Sequence, residues 1–359
     1  MALLALETDM TRALLFAVMA AVIGGGAFIP LAASAAPTSP VGEARLVTPE
    51  SFPRAETDLH FSTVVKDGGL GKFSHQRAPA GVDKQRVVRV DRDTLSSTAV
   101  FDLDAGPVTI TLPDAGKRFM SMQMIDEEGY TPEVVYGPGS HTLTKDEIGA
   151  RYVMAVVRIF VGADDPKDID AVKALQDAVR VDQPGGPGAF QTPNWDASQQ
   201  AEVRTGLVVL ALTLPDTKGM FGRRGEVDPV RHLIGSATAW GGMPEKDTLV
   251  LGVTPDRNDG KTVFRFEAKD VPVDGFWSIT VYNERGFFEP NPQHAYALNS
   301  VTAKAEPDGS VVVQFGGCAG TVANCLPTPP GWSYLARLYR PRAAILSGEW
   351  TFPQPKAVP

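Results

Sequence analysis

The stretch Ser97-Thr-Ala-Val-Phe-Asp102-Leu-Asp-Ala-Gly-Pro-Val108-Thr-Ile-Thr-Leu112-Pro-Asp-Ala-Gly116-Lys-Arg-Phe119-Met-Ser-Met-Gln-Met-Ile125 decides the fold. Three runs rich in apolar and β-branched residues, Ser97 to Asp102, Val108 to Leu112 and Phe119 to Ile125, are broken by Asp104-Ala-Gly-Pro107 and Pro113-Asp-Ala-Gly116. Each break holds a glycine and a proline, the residues that turn a chain at least cost. In Val108-Thr-Ile-Thr-Leu112 apolar and polar residues alternate, so one face packs and the other meets water. No helical pattern of crossover length separates these strands. That argues against a parallel sheet and predicts an antiparallel sandwich.

Working outward, Val87-Val-Arg-Val90 reads as a strand before the stretch, and Tyr152 to Val161 as another after it. Ser51, with Pro53 close behind, marks the N-cap of a helix that stops at Gly68-Gly69. Beyond the strands the period changes. Ile169, Val172, Leu175 and Val179 form a 3.6-residue stripe over Pro166 to Val181, capped by Asp165. A Gly/Pro loop at 184–193 follows, then a helix from Asp196 to Leu214 and a third opened by Asp228-Pro229. Strands return at Leu249 to Val253, Val263 to Phe266, Phe276 to Tyr282, Val311 to Phe315 and Tyr334 to Tyr339. Pro307-Asp-Gly309, between Val301 to Ala305 and Val311 to Phe315, predicts a hairpin. The fold expected is mainly β, two antiparallel β domains joined by a short helical segment.

The 359 residues are 43% hydrophobic and 21% charged, a globular balance, with 35 Gly and 29 Pro, more turn formers than long helices tolerate. Net charge is −8, which repels phosphate backbones and excludes nucleic acid as the expected partner. Ala13 to Leu31 is almost wholly apolar, follows Arg12 and precedes Ala33-Ser-Ala35, the pattern of a Sec signal peptide cleaved after Ala35. Glu7 and Asp9 do not suit a basic leader, so both Met1 and Met10 stand as starts. The mature form is expected to be periplasmic or secreted and not membrane-spanning, since Gly24 to Gly26 and Pro30 interrupt the apolar run. Cys318 and Cys325, the two cysteines of the chain, then read as a disulfide. The boundaries expected are a signal at 1–35, a linker at 36–50, a helix and β-sandwich domain at 51–161, a helical connecting segment at 162–247 and a C-terminal β domain at 248–359.

The stretch from Arg89-Val-Asp-Arg-Asp-Thr94 through Leu112-Pro-Asp-Ala-Gly-Lys-Arg-Phe119 resembles the bacterial domain of unknown function 1254. Val273-Asp-Gly-Phe-Trp-Ser-Ile-Thr-Val-Tyr-Asn283, Asn291-Pro292, Asp308-Gly-Ser310, Asn324-Cys-Leu-Pro327 and Arg337-Leu-Tyr-Arg-Pro341 are similar to its partner, domain of unknown function 1214. The resemblance implies an immunoglobulin-like sandwich followed by a jelly-roll-like β domain. It implies no catalytic residues. Asp91 and Ser96 depart from the Asn and Tyr usual in the first family.

Common hydrolase, Walker and dinucleotide motifs are absent. The five histidines, His60, His75, His141, His232 and His294, form no close pair, so neither a metal nor another cofactor is expected. On a helix opened by Pro229, Asp228, His232 and Ser236 share one face, in the order acid, base and nucleophile. The bland alternative makes Asp228 an N-cap and lets Ser236 bond back to the backbone. Candidate catalytic residues are therefore His232 and Asp228. Candidate ligand-binding residues are Arg89, Arg92, Asp93, Arg231 and Trp240: arginines and carboxylates for bidentate contacts, and an indole flanked by Gly241-Gly242 for close approach, with an ion-pair network at a sheet edge and a core tryptophan as the alternative readings. Three functional classes follow. The leading one is an exported protein binding a small molecule or glycan in an interdomain groove. The others are an ester or glycoside hydrolase using His232 with a carboxylate, and a structural envelope module acting as a homo-oligomer.

Overall fold

The computed structural model describes residues 41–83, 85, 87–320 and 322–358; the expected signal peptide and the start of the linker lie outside the described residues. The chain divides into two compact units. One takes the residues through Ala78 with Leu95–Phe160 and Pro166–Met243, the other Pro79–Thr94, Val161–Asp165 and Pro244–Pro359.

In the first unit β1 (Val41–Arg45) opens inside the expected linker and pairs in parallel with the later β10 (Pro193–Trp195). Helix α1 (Phe52–Lys66) carries Pro53 in its first turn, where a missing N–H costs nothing. Ser51 sits at the N-cap position, but its hydroxyl bonds Thr48 instead of the helix. Next come β2 (Ser74–His75), β3 (Thr94–Asp102), β4 (Val108–Leu112), β5 (Met120–Asp126), β6 (Val134–Tyr136), β7 (Gly139–Leu143), the short α2 (Lys145–Ile148) and β8 (Tyr152–Phe160). They form two sheets, ordered β2-β3-β8-β5-β6 and β7-β4-β9, the last being Arg180–Asp182. Strand β4 alternates as read, with Val108, Ile110 and Leu112 inward, while outside Thr109 meets Thr142 at 2.9 Å and Thr111 meets Ser140 at 2.8 Å. Strands β3 and β5 are buried on both faces, as interior strands of a covered sheet must be.

Three helices complete this unit: α3 (Pro166–Ala178), α4 (Ala197–Ala211) and α5 (Pro229–Thr238). Helix α4 is capped by Asp196, which accepts from Ser198 N and Gln199 N. Phe52, Ala55, Leu207, Ala211, Ile234 and Ala237 join α1, α4 and α5 in one apolar cluster. Phe61, Val100, Tyr152, Phe190 and Trp240 belong to a second.

The second unit contains β11 (Thr248–Val253), β12 (Phe264–Ala268), β13 (Trp277–Tyr282), β14 (Ala297–Asn299), β15 (Val311–Phe315), β16 (Cys325–Leu326), β17 (Ser333–Tyr339), α6 (Ala343–Leu346) and β18 (Lys356–Ala357). Its two sheets run β11-β17-β13-β14 and β16-β15-β12-β18. Their apolar faces meet in one core that includes Trp277, Ile279, Phe266, Phe315, Trp332 and Tyr334. A buried aromatic of this kind contributes about 1.5–3 kcal/mol. Cys318 and Cys325 are joined, S–S 2.06 Å.

Two strand expectations fail. Val87 to Val90 is a turn, because Arg89 adopts φ 56° and its N–H donates to Gly286 O at 2.7 Å; the strand starts at Thr94. The turn at Pro307-Asp-Gly309 forms, yet Val301 to Ala305 is no strand. Asn299 Oδ1 draws in Val301 N and Thr302 N at 3.1 and 2.9 Å, curling the chain. The described chain is thus a mixed α/β structure with five sheets, none closed into a barrel.

Candidate functional site

Strand β17 reads Ser333-Tyr-Leu-Ala-Arg337-Leu-Tyr339, and its period of two sends Tyr334, Ala336 and Leu338 into the apolar core. Leu335, Arg337 and Tyr339 therefore face the other way. The same alternation in β13 aligns Ser278, Thr280 and Tyr282 with them, and register places Val250, Arg337, Ser278 and Asn299 in one row across four strands. This second face is polar, and residues 89–94 of the same unit lie against it.

Arg337 is the hub. Its guanidinium donates to Thr280 Oγ1 at 3.0 Å, Arg89 O at 2.8 Å and Tyr282 OH at 2.9 Å. Burial works against its charge, yet Tyr282, Asp91 and Tyr339 together hold its pKa above the usual range. Tyr282 OH donates to Val90 O at 2.8 Å. Asp91 gathers three donors: Asp93 N at 2.9 Å, Thr94 Oγ1 at 2.8 Å and Tyr339 OH at 3.1 Å. Asp93 Oδ1 accepts from Asn299 Nδ2 at 2.9 Å, while its Oδ2 has no hydrogen-bond partner. Burial first, and the Asp91 charge second, push the Asp93 carboxyl up to about 7.

Among the candidate ligand residues the structure brings Arg89, Arg92 and Asp93 together in this unit. Arg92 bonds Ala80 O, reaches Asp164 at 3.6 Å, and its Cζ lies 5.8 Å from the Phe288 ring and 5.5 Å from that of Tyr296. Arg89 Cζ lies 5.8 Å from the Tyr282 ring.

The same unit carries an open groove of about 530 Å³. Its lining includes Arg265 and Glu267 from the outward face of β12, Val312, Pro353, Gln354 and Lys356. Arg265 and Lys356 are register partners on β12 and β18, so two cations stand side by side. Arg265 Nε donates to Gln314 Oε1 at 2.8 Å. Lys356 is exposed.

Asp228, Arg231, His232 and Trp240 lie in the first unit. Asp228 caps α5, its Oδ1 accepting from Val230 N and Arg231 N at 2.9 Å each. The His232 ring is buried and stacked on Tyr130 with centroids 4.0 Å apart; Nε2 faces Glu128 O at 2.9 Å and Nδ1 faces Met220 O at 3.2 Å. Burial pulls its pKa below the usual value, while the two carbonyls push the other way. Ser236 Oγ donates to His232 O at 2.9 Å. The one-face order of acid, base and nucleophile therefore forms no relay: each member bonds backbone.

Arg231 is committed to Asp216 at 2.8 Å and Lys218 O at 2.8 Å. Trp240 stacks on His60 at 4.1 Å and donates from Nε1 to Thr57 Oγ1 at 2.9 Å. A Cβ on Gly242 would lie 2.4 Å from the Phe221 ring, so this glycine admits the protein's own side chain. Around these residues Asp58 accepts from Arg54 at 3.0 Å and Trp195 at 2.8 Å, and Glu56 from Gln200 at 2.8 Å and from Arg204. Among the described residues no group of three or more His, Cys, Asp or Glu is placed to hold a metal ion.

Sequence reasoning reached the 89–94 side of the polar layer but missed Arg337, Tyr339, Tyr282 and Asn299. The signal was an arginine in the middle of an otherwise apolar strand, which marks a buried partner to be found elsewhere. Arg265 and Lys356 gave no signal, since exposed cations near a strand end are ordinary.

A search of the curated proteins finds no match. The fold resembles the crystal structure of the VPA0106 protein from Vibrio parahaemolyticus, with TM-score 0.66 and 17% identity over 86% of this chain and 96% of that one. A putative uncharacterized protein from Burkholderia cenocepacia aligns at TM-score 0.47 and 13% identity, over 86% and 87%. Asp91, Asp93 and the strand β3 they precede fall within residues 70–147, and Arg337 and Tyr339 within residues 255–343. The chain matches two families described as proteins of unknown function, DUF1254 over the first of these spans and DUF1214 over the second.

Proposed function

We propose that the protein is an exported binding protein for a small molecule or glycan, and that the groove on the second unit receives an acidic one. The observation carrying this is the pairing of Arg265 with Lys356 beside the apolar Val312 and Pro353. Two adjacent cations match a carboxylate, Glu267 and Gln354 offer acceptors to hydroxyls, and about 530 Å³ is the size of a small-ligand site. Export is supported by the apolar run from Ala13 to Leu31 before Ala33-Ser-Ala35, and by the Cys318–Cys325 disulfide, which a periplasmic or secreted protein can keep. Among the described residues no helix is long and apolar enough to cross a membrane. The immunoglobulin-like and jelly-roll-like assignments belong to this same reading, supported by the five- and three-stranded sheets of the first unit and the two four-stranded sheets of the second. The hydrolase alternative gains no supporting contact from His232 or Asp228.

Isothermal titration of the mature chain with acidic and neutral oligosaccharides tests this. Acidic fragments should bind, and a ligand at a hundredfold its Kd should stabilise the fold by about 2.7 kcal/mol. Arg265→Ala combined with Lys356→Ala should abolish the binding. No heat with either class, or undiminished binding in the double variant, overturns the proposal.

A further inference from the structure

The two carboxyls at 91 and 93 are unequally served. Asp91 accepts three hydrogen bonds, one on Oδ1 and two on Oδ2. Asp93, only 2% exposed, receives one bond on Oδ1 and none on Oδ2. A buried carboxylate oxygen without a donor is costly, and a proton on Oδ2 removes the cost. Ser278 Oγ, buried in the same row as Asn299 and acting on the Asp93 carboxyl, is a hydroxyl that can accept a proton held on Oδ2.

We propose that the Asp91–Asp93 pair is a proton-operated latch for residues Val87 to Thr94: one proton held on Asp93 lets the segment stay tied to the polar face of its unit, and loss of that proton to solvent loosens it. The charged and titratable groups facing the pair are Arg337 and Tyr339 from β17, Tyr282 from β13, and Arg89 from the segment itself; Ser278, Thr280 and Asn299 are neutral. With Asp93 neutral, the Arg337 charge answers the Asp91 charge. With Asp93 ionised, a buried anion stands two residues from the half-buried Asp91. The rise of the Asp93 carboxyl to about 7 places this change near neutrality. The sign follows from a folded pKa above the unfolded value of about 3.9: the folded state binds the extra proton, so stability is greatest at acid pH and is lost as pH rises through about 7.

Hydrogen–deuterium exchange of a peptide spanning 87–94, on the whole chain and corrected for intrinsic rates, reads the latch directly. Protection should fall about tenfold between about pH 6 and about pH 8, the change one pKa unit of linkage gives. Asp93→Asn, which keeps the shape without the charge, should hold its protection across that range. Wild-type protection that stays flat overturns the latch without recourse to any variant. A tenfold fall that persists in Asp93→Asn overturns the assignment of the proton to this pair.

Discussion

Arg337→Met removes the hub of the polar layer while keeping a side chain of comparable length. Three buried acceptors, Thr280 Oγ1, Arg89 O and Tyr282 OH, lose their donor, and Asp91 loses a neighbouring positive charge. Each buried acceptor left unpaired costs about 1–3 kcal/mol, but the losses share one site and do not add. The acceptors left without a donor set the destabilisation expected, about 1–3 kcal/mol. Adding Asp91→Asn removes the stranded carboxylate, so the double variant should recover about 1–3 kcal/mol of the sum of the single effects. Urea unfolding at fixed pH near 6, followed by the fluorescence of Trp277 and Trp332 in the core behind β17, measures all four corners of the cycle. A loss under about 1 kcal/mol for the single variant, or strict additivity with Asp91→Asn, would refute the claim that Arg337 holds this layer together.

Asp228→Ala should destabilise the first unit by about 1 kcal/mol through loss of the α5 cap. Asp228→Ser, which can still cap, should restore most of it in a thermal melt; a hydroxyl that restores nothing argues for a role beyond capping. Reduction of Cys318–Cys325, which closes a loop of seven-residue separation, should cost about 2 kcal/mol, seen as a lower urea midpoint in reductant. An unchanged midpoint would show that the loop is already ordered without its bond.

Elements whose residues obey a local period were legible. Alternation in Val108 to Leu112 and the stripe from Ile169 to Val179 depend on the burial of one face, and a period records exactly that demand. The disulfide was legible because two cysteines leave one pairing. What failed was local geometry set from a distance. Val87 to Val90 has strand-forming side chains, but the bond from Arg89 N to Gly286 O holds it in a turn; nothing within those four residues announces Gly286. The Pro307-Asp-Gly309 turn was read correctly, whereas its upstream arm is captured by Asn299.

The site followed the same division, and the physical reason is charge. A helix that aligns Asp228, His232 and Ser236 on one face satisfies a spacing rule, yet chemistry needs each polar atom aimed at another side chain, and here the backbone claims all three. In the polar layer no spacing rule applies, because Asp91 and Asp93 meet groups about 200 to 250 residues further along the chain. Burial forces that meeting: Arg337 cannot be enclosed at 6% exposure without acceptors, and Asp93 at 2% cannot be enclosed without a donor or a proton. The polar layer therefore ties the residues matching the first family to those matching the second within one unit. Substituting Asp91 or Asp93 should accordingly be felt at Arg337 and Asn299, far away in sequence, before it is felt at β4 or β7 nearby.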